Sequence, residues 1–270
     1  MMELEVIDID KQKKIILDIL LFINDFCEKN RIKWYIAYGT LLGAIRHEGF
    51  IPWDDDIDIM MLREDYNHFI QAFGERQGYY YLASFENDTY YYPFSKVIDL
   101  RTSIKNDVIK DYKNQGLCVD IFVVDYIDND ERKARKIIKK SVDDKRLLNY
   151  ALLKDNDFKK KDNYIIRNLL YLVSHFIGSD ALVKAFRRKL KKYCAKEKKV
   201  YCGCIGESCE IYRSDAFDGI KRMAFEGYMF PAPLNYDVLL KESYGDYMQL
   251  PPAELRVSHG QEAFFIGEMI

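Results

Sequence analysis

No run of apolar residues in this 270-residue chain is long and uninterrupted enough to span a bilayer, which argues against an integral membrane protein. The first 14 residues are mixed and charged and lack the basic-then-apolar order of a signal peptide. Histidine and cysteine are scarce, at four and six residues. Cys194, Cys202, Cys204 and Cys209 invite a zinc reading, but no C-x-x-C pair occurs and no histidine lies nearby, so free thiols are expected. Scattered cysteines without an export signal fit a reducing, cytoplasmic setting. No internal repeat is visible. Nor is there a named nucleic-acid-binding motif, so nucleic acid is not expected as a partner.

What is present is enough to fold. With 49% hydrophobic residues, 21 Tyr and 16 Phe, the chain buries a large core as one domain or one and a half, and disorder is excluded. The net charge of −2 hides a segregation: residues 131–200 carry 22 Lys and Arg against 8 Asp and Glu, and the rest carries 19 against 35. Three regions follow: a first part over residues 1–130, a basic helical segment over 131–200, and a part over 201–270 that completes the same domain as the first.

Hydrophobic spacing predicts a helix over residues 10–30, a strand over 32–38, a short helix from Thr40 and a helix over 64–73. Residues 79–84, 91–98 and 117–124 are β-like, and 132–199 are helical by composition. After Tyr201 the pattern turns irregular, with Pro231-Ala-Pro233, Tyr244-Gly-Asp246 and Pro251-Pro252 marking loops. The expected fold is α/β (α+β), a mixed sheet flanked by helices.

Trp53-Asp54-Asp55-Asp56-Ile57-Asp58 puts four carboxylates in a five-residue window. Like charges this close repel and are tolerated where something cationic neutralises them. Read as an extended strand, Asp54, Asp56 and Asp58 share one face, and Asp55 and Ile57 the other. Oxygen-only ligands suit Mg²⁺ or Mn²⁺, the ions of phosphate chemistry. Ahead of the window, Gly39-Thr40 opens a helix whose N-terminus offers N–H donors to a phosphate. Asp120, alone in an apolar strand, is the candidate third carboxylate, preferred here over the reading as a buried ion pair. Asp125 is read equally as strand-ending or direct. This order of strand, glycine loop, helix and Asp-x-Asp strand is that of a nucleotidyltransferase-type phosphate site.

The residues from Tyr38-Gly-Thr-Leu-Leu-Gly to Trp53-Asp-Asp-Asp-Ile-Asp-Ile59 resemble the signature of the LicD/fukutin group of phosphotransferases. The likeness continues in Phe94-Ser-Lys96-Val-Ile-Asp99, Val119-Asp120-Ile-Phe-Val-Val-Asp125, Phe225-Glu-Gly-Tyr-Met-Phe-Pro-Ala-Pro233, Tyr244-Gly-Asp-Tyr-Met-Gln-Leu-Pro-Pro252 and Arg256-Val-Ser-His259. It implies a nucleotidyltransferase fold and transfer of a phospho-alcohol from a CDP-linked donor to a glycan. Members of this length imply phosphocholine, moved from CDP-choline to teichoic acid, lipopolysaccharide or capsule sugars, with CMP released. Asp54, Asp56, Asp58 and Asp120 are then the metal ligands, with Asp120 also directing the hydroxyl proton. Gly39, Thr40, Arg46 and Lys96 hold phosphate. His259 lacks the second histidine expected after it, leaving it as an acceptor-site or structural residue. Ribitol, glycerol or ethanolamine phosphate, or nucleotidyl transfer from an NTP, are the alternative chemistries; a basic nucleic-acid binder is the non-enzymatic one.

Residues 164–186 form an apolar stretch between Lys159-Lys-Lys161 and Arg187-Arg-Lys189. The preferred reading is an amphipathic helix packed on the core with a solvated basic rim. The other is a surface that docks on anionic lipid at the inner face of the cell membrane, near a lipid-linked acceptor.

Overall fold

The apolar run around Asp120 becomes an eleven-residue strand, Cys118–Asp128, on which the main sheet is built. The computed structural model describes residues 5–156, 162–258, 260 and 262–267. In chain order these form β1 (Glu5–Val6), α1 (Ile9–Asn30), β2 (Tyr35–Ile36), α2 (Tyr38–His47), β3 (Asp58–Leu62), α3 (Arg63–Phe73), β4 (Arg76–Gln77), β5 (Tyr80–Ser84), β6 (Ser95–Asp99), β7 (Thr102–Lys105) and β8 (Cys118–Asp128). The basic segment supplies α4 (Glu131–Leu152), α5 (Tyr164–Ile177) and α6 (Ser179–Tyr193). The rest gives β9 (Tyr201–Gly203), β10 (Tyr212–Arg213), β11 (Ile220–Phe225), β12 (Tyr228–Pro233), α7 (Tyr236–Tyr244) and β13 (Glu262–Phe265). The mixed sheet flanked by helices is the expected α+β class.

β8 pairs in parallel with β3 along one edge and antiparallel with β6 along the other. Alternation along β8 then decides what each face does. Val119, Ile121 and Val123 join Ile16, Ile19, Leu20 and Ile23 of α1 in one buried core, while Asp120 points to the opposite face. Burying side chains of this size contributes roughly 1.5–3 kcal/mol each. The helix that covers this face is stopped at both ends: Asp8 accepts from the Lys11 N–H at 2.9 Å, and Arg31 takes the left-handed conformation with φ of 56°. Residues after 200 enter the same core through Phe225, Phe230, Leu240 and Ala263. β13 pairs with both β1 and β7.

Several elements differ from expectation. The strand predicted over 32–38 is only Tyr35–Ile36, because helix α2 already starts at Tyr38. Likewise β6 starts at Ser95 rather than 91; Tyr90, Tyr91, Tyr92 and Phe94 instead pack ring to ring, with Tyr90 4.9 Å from Tyr112 and Phe94 4.8 Å from Phe122. β8 runs on to Asp128, so Asp125 does not end a strand. Pro231 and Pro233, read as loop markers, lie in β12. They are tolerated there because, among the described residues, β12 pairs with β11 alone, leaving an edge that needs no donor. The two strands meet in a two-residue turn in which Glu226 (φ 51°) and Gly227 (φ 79°) are both left-handed.

The largest departure is α5. Rather than packing its apolar face on the core, it buries only Ser174. Phe186 and Leu190 of α6 do pack inward, against Ile138 and Leu148 of α4. Lys159, Lys160, Lys161 and His259 lie outside the described residues.

Candidate active site

Asp58 and Asp120 are direct neighbours across the β3–β8 pair, and Lys96 is the neighbour of Asp120 across β8–β6. Partners in register project from the same face of a sheet, so the three side chains stand in a row on the face opposite α1. Lys96 Nζ donates to both Asp120 oxygens, at 2.5 and 2.7 Å. The ion pair set aside in the sequence reading is therefore present. A lone carboxylate in an apolar strand needs a partner, and the partner is one strand away.

The approach to β3 is not strand. Ile51-Pro52-Trp53-Asp54 closes a turn in which the Asp54 N–H donates to the Ile51 carbonyl at 2.9 Å, with proline at the position that favours it. Pairing begins only at Asp58, because β2 is two residues long and offers Asp54–Asp56 no ladder. The in-and-out alternation survives without the strand: Asp54, Asp56 and Asp58 are half-buried, while Asp55 and Ile57 are buried. Asp55 Oδ2 accepts from the Ser258 hydroxyl at 2.7 Å, which ties the C-terminal segment to the acidic window from behind.

Helix α2 holds this window in place. The Asp58 N–H donates to Thr40 Oγ1 at 2.8 Å, so buried Thr40 fixes the start of β3 against the helix. The Asp54 carboxylate lies over Gly39: a Cβ built on Gly39 would sit 2.5 Å from Asp54 Oδ2, closer than such contacts occur. Glycine thus leaves room for the carboxylate, which any larger residue would push aside, while the start of α2 turns its positive end to the same place.

Electrostatics record the crowding. Burial, then the charges of Asp56, Asp120 and Asp54, push the Asp58 carboxyl well above the usual carboxylate range, only partly offset by Lys96. Burial alone would lower the pKa of Lys96, but Asp120 beside it raises it well above the usual lysine value, so the ammonium keeps its proton. Four carboxylates with oxygen donors alone match a hard divalent cation in kind and in charge. Among the described residues, no group of three or more His, Cys, Asp or Glu stands at distances that enclose an ion. None of the six cysteines is in a disulfide.

Beside Asp54 opens a cavity of about 560 Å³, lined among others by Gly39, Arg46, Trp53, Tyr244 and Tyr247. Arg46 Nη1 donates to the Tyr247 and Gln249 carbonyls, at 3.2 and 3.5 Å. Its Nε is buried without a hydrogen-bond partner among the described residues, a donor unused in a cavity lined by its own side chain. Burial and then Asp58, Asp54 and Asp56 raise the pKa of Tyr244, which places its hydroxyl in the field of the carboxylates. The Arg256 guanidinium lies 5.3 Å from the centre of the Trp53 ring.

Sequence reasoning attached no role to Tyr244, Tyr247, Arg256 or Ser258. Their segments carry only loop signals and stretches of likeness, and no charge pattern or spacing marks them as functional. Asp125 is accounted for otherwise: five residues from Asp120, it faces away and pairs with Arg63, whose Nε and Nη2 donate to it at 2.8 and 2.6 Å.

Residues 31–147, which contain this row of side chains, match the family model described as LicD/FKTN/FKRP, nucleotidyltransferase domain. The lipopolysaccharide cholinephosphotransferase LicD of Haemophilus influenzae is 30% identical over 269 aligned residues, covering 95% of this chain and 97% of that protein. An uncharacterized protein of Rickettsia prowazekii is 44% identical over 63 residues, 23% of this chain and 24% of its own length. An uncharacterized protein of Rickettsia typhi is 54% identical over 48 residues, 18% of this chain and 16% of its own. A likeness that runs nearly end to end in the Haemophilus protein, together with a family model whose match spans the carboxylate row, leaves one conclusion: the chain belongs to the LicD family.

Proposed function

We propose that this protein transfers phosphocholine from CDP-choline to a hydroxyl of a cell-surface glycan, releasing CMP. The observation that carries the reading is the row Asp58–Asp120–Lys96 across three adjacent strands, with Asp54 arching over Gly39 at the start of α2. The name of the Haemophilus relative, a cholinephosphotransferase acting on lipopolysaccharide, supports the group transferred and a glycan acceptor.

In this reaction an acceptor oxygen attacks the phosphorus that bears choline. A new P–O bond forms, the bond from that phosphorus to the bridging oxygen breaks, and CMP leaves with the electron pair. Positioning and charge neutralisation supply most of the acceleration in such transfers. Asp54, Asp56, Asp58 and Asp120, which do not stand close enough together to enclose an ion, would have to draw in to hold a divalent cation, Mg²⁺ or Mn²⁺, and the cation would neutralise diphosphate charge. Asp120 accepts or directs the proton of the attacking hydroxyl, and Lys96 holds it in one orientation. The N–H groups at the start of α2 and the guanidinium of Arg46, which lines the cavity, face phosphate oxygens. Trp53, Tyr244 and Tyr247 give the cavity the aromatic walls a quaternary ammonium seeks.

The test is a panel of CDP-choline, CDP-ethanolamine, CDP-glycerol, CDP-ribitol and CTP with Mg²⁺, scored by thermal shift. CDP-choline is expected to give the largest stabilisation, and it should vanish with a chelator. A response to CTP but to no CDP-alcohol would overturn the donor assignment in favour of nucleotidyl transfer.

Gly39→Ala tests the arch of Asp54 over α2. The added methyl group displaces the carboxylate, so kcat/KM for CDP-choline is expected to fall on the order of 100-fold with the melting temperature little changed. An unchanged kcat/KM would remove Asp54 from the site.

A further inference from the structure

Helix α5 is amphipathic with its faces reversed. Ile165, Leu169, Leu172 and Phe176 recur at helical spacing along one side, flanked by Ile166 and Val173, and all six are exposed, Phe176 by 94%. The opposite side, which meets α4 and α6, carries half-buried Arg167, Asn168 and His175 and buried Ser174. Those polar groups are satisfied locally: Arg167 Nε donates to the Asp162 carbonyl at 2.9 Å, and Ser174 Oγ to the Tyr171 carbonyl at 2.8 Å. A soluble helix that turns its apolar side outward has an unburied partner surface.

The surroundings say what that partner is. α5 contains one charged residue, Arg167, whereas α4 and α6 together hold 14 Lys and Arg against 4 Asp and Glu. Across the Gly178 break, where α5 and α6 meet at 93°, Lys184, Arg188 and Lys191 are exposed on the side of α6 opposite its buried Phe186 and Leu190. An apolar strip framed by basic helices complements an anionic bilayer surface: the strip enters the acyl boundary and the cations meet headgroup phosphates. At 14 residues α5 is about 21 Å long, too short to cross the hydrocarbon layer, so it lies in the interface.

We propose that α5, with the basic face of α6, is a docking surface for anionic lipid bilayers. Docking there holds the enzyme against the surface at which a membrane-bound glycan would be presented, but it is carried by α5 and its neighbours and not by the reaction assigned above.

The test is co-sedimentation of the full-length protein with vesicles of phosphatidylcholine alone and of phosphatidylcholine mixed equally with phosphatidylglycerol, at low and high salt. Binding is expected with phosphatidylglycerol only, weakened by salt. Leu169→Glu with Phe176→Glu, which leave the polar side of α5 untouched, should abolish it. Lys184→Glu with Arg188→Glu and Lys191→Glu should weaken partitioning on the order of 100-fold. Both variants should keep the parent's circular dichroism and its transfer rate on a soluble acceptor. No sedimentation at low salt, or equal binding by the Leu169→Glu, Phe176→Glu variant, would overturn the proposal. So would a stable dimer in light scattering that this variant converts to monomer without any vesicle binding, since a second copy would then cover the strip.

Discussion

Asp58→Asn is expected to lower the transfer rate by at least about 1000-fold while raising the melting temperature in metal-free buffer. The two effects have one cause. Asp58 is buried beside Asp56, Asp120 and Asp54, and its carboxyl is held well above the ordinary range. A folded-state pKa above the unfolded one means that the ionised form costs stability at neutral pH, and the cost is relieved as pH falls through the raised value. Asn removes the charge and keeps the size, so the folded state gains. Each kcal/mol of repulsion relieved should raise the midpoint by about 2–4 °C. The reaction loses the same charge where a cation must be held. A loss of activity coupled to a gain in stability is the mark of a site kept for function. A variant that is both slower and less stable would assign Asp58 a structural role instead.

Lys96→Met is expected to destabilise the protein by about 3–5 kcal/mol, read from urea unfolding, because it strips the partner from a carboxylate with little solvent access. The side chains of Lys96 and Asp120 are 13% and 20% exposed, so solvent screens the remaining charge only weakly. Of the two strand neighbours of Asp120, Asp58 on one side repels it and Lys96 on the other holds it. The double variant Lys96→Met, Asp120→Leu should recover most of the stability, since two apolar groups replace the pair, yet remain without transfer activity. A loss below about 1 kcal/mol for the single variant would show the pair to be well solvated, and with it the picture of a dry carboxylate row would fail.

The carboxylates were legible in the sequence because charge in an apolar run is conspicuous. Asp120 interrupts Leu117-Cys-Val-Asp-Ile-Phe-Val-Val124, and its adjacency to Asp58 follows once two parallel strands are inferred. Lys96 was noticed too, but its pairing with Asp120 was not, since one sequence does not say which strand lies on the far side of β8. The strand reading of Asp54–Asp56 failed for a local reason, the Pro52 turn, although the facing it implied survived. α5 was legible as an apolar helix and misread in direction: spacing gives the width of an apolar face and is silent on whether core or bilayer covers it. Trp53, Tyr244 and Tyr247 meet at one cavity from segments about 190 residues apart in sequence, joined only by tertiary packing.

The central claim is that the carboxylate row drives transfer from a CDP-linked alcohol. The direct measurement is CMP release by the parent protein and by Asp58→Asn, with CDP-choline, Mg²⁺ and a lipopolysaccharide or teichoic acid acceptor. CMP is expected to form in proportion to phosphocholine on the glycan, to require the cation, and to fall to background in Asp58→Asn. CMP release at the parent rate in Asp58→Asn, or none from any CDP-alcohol with the folded parent, would contradict it.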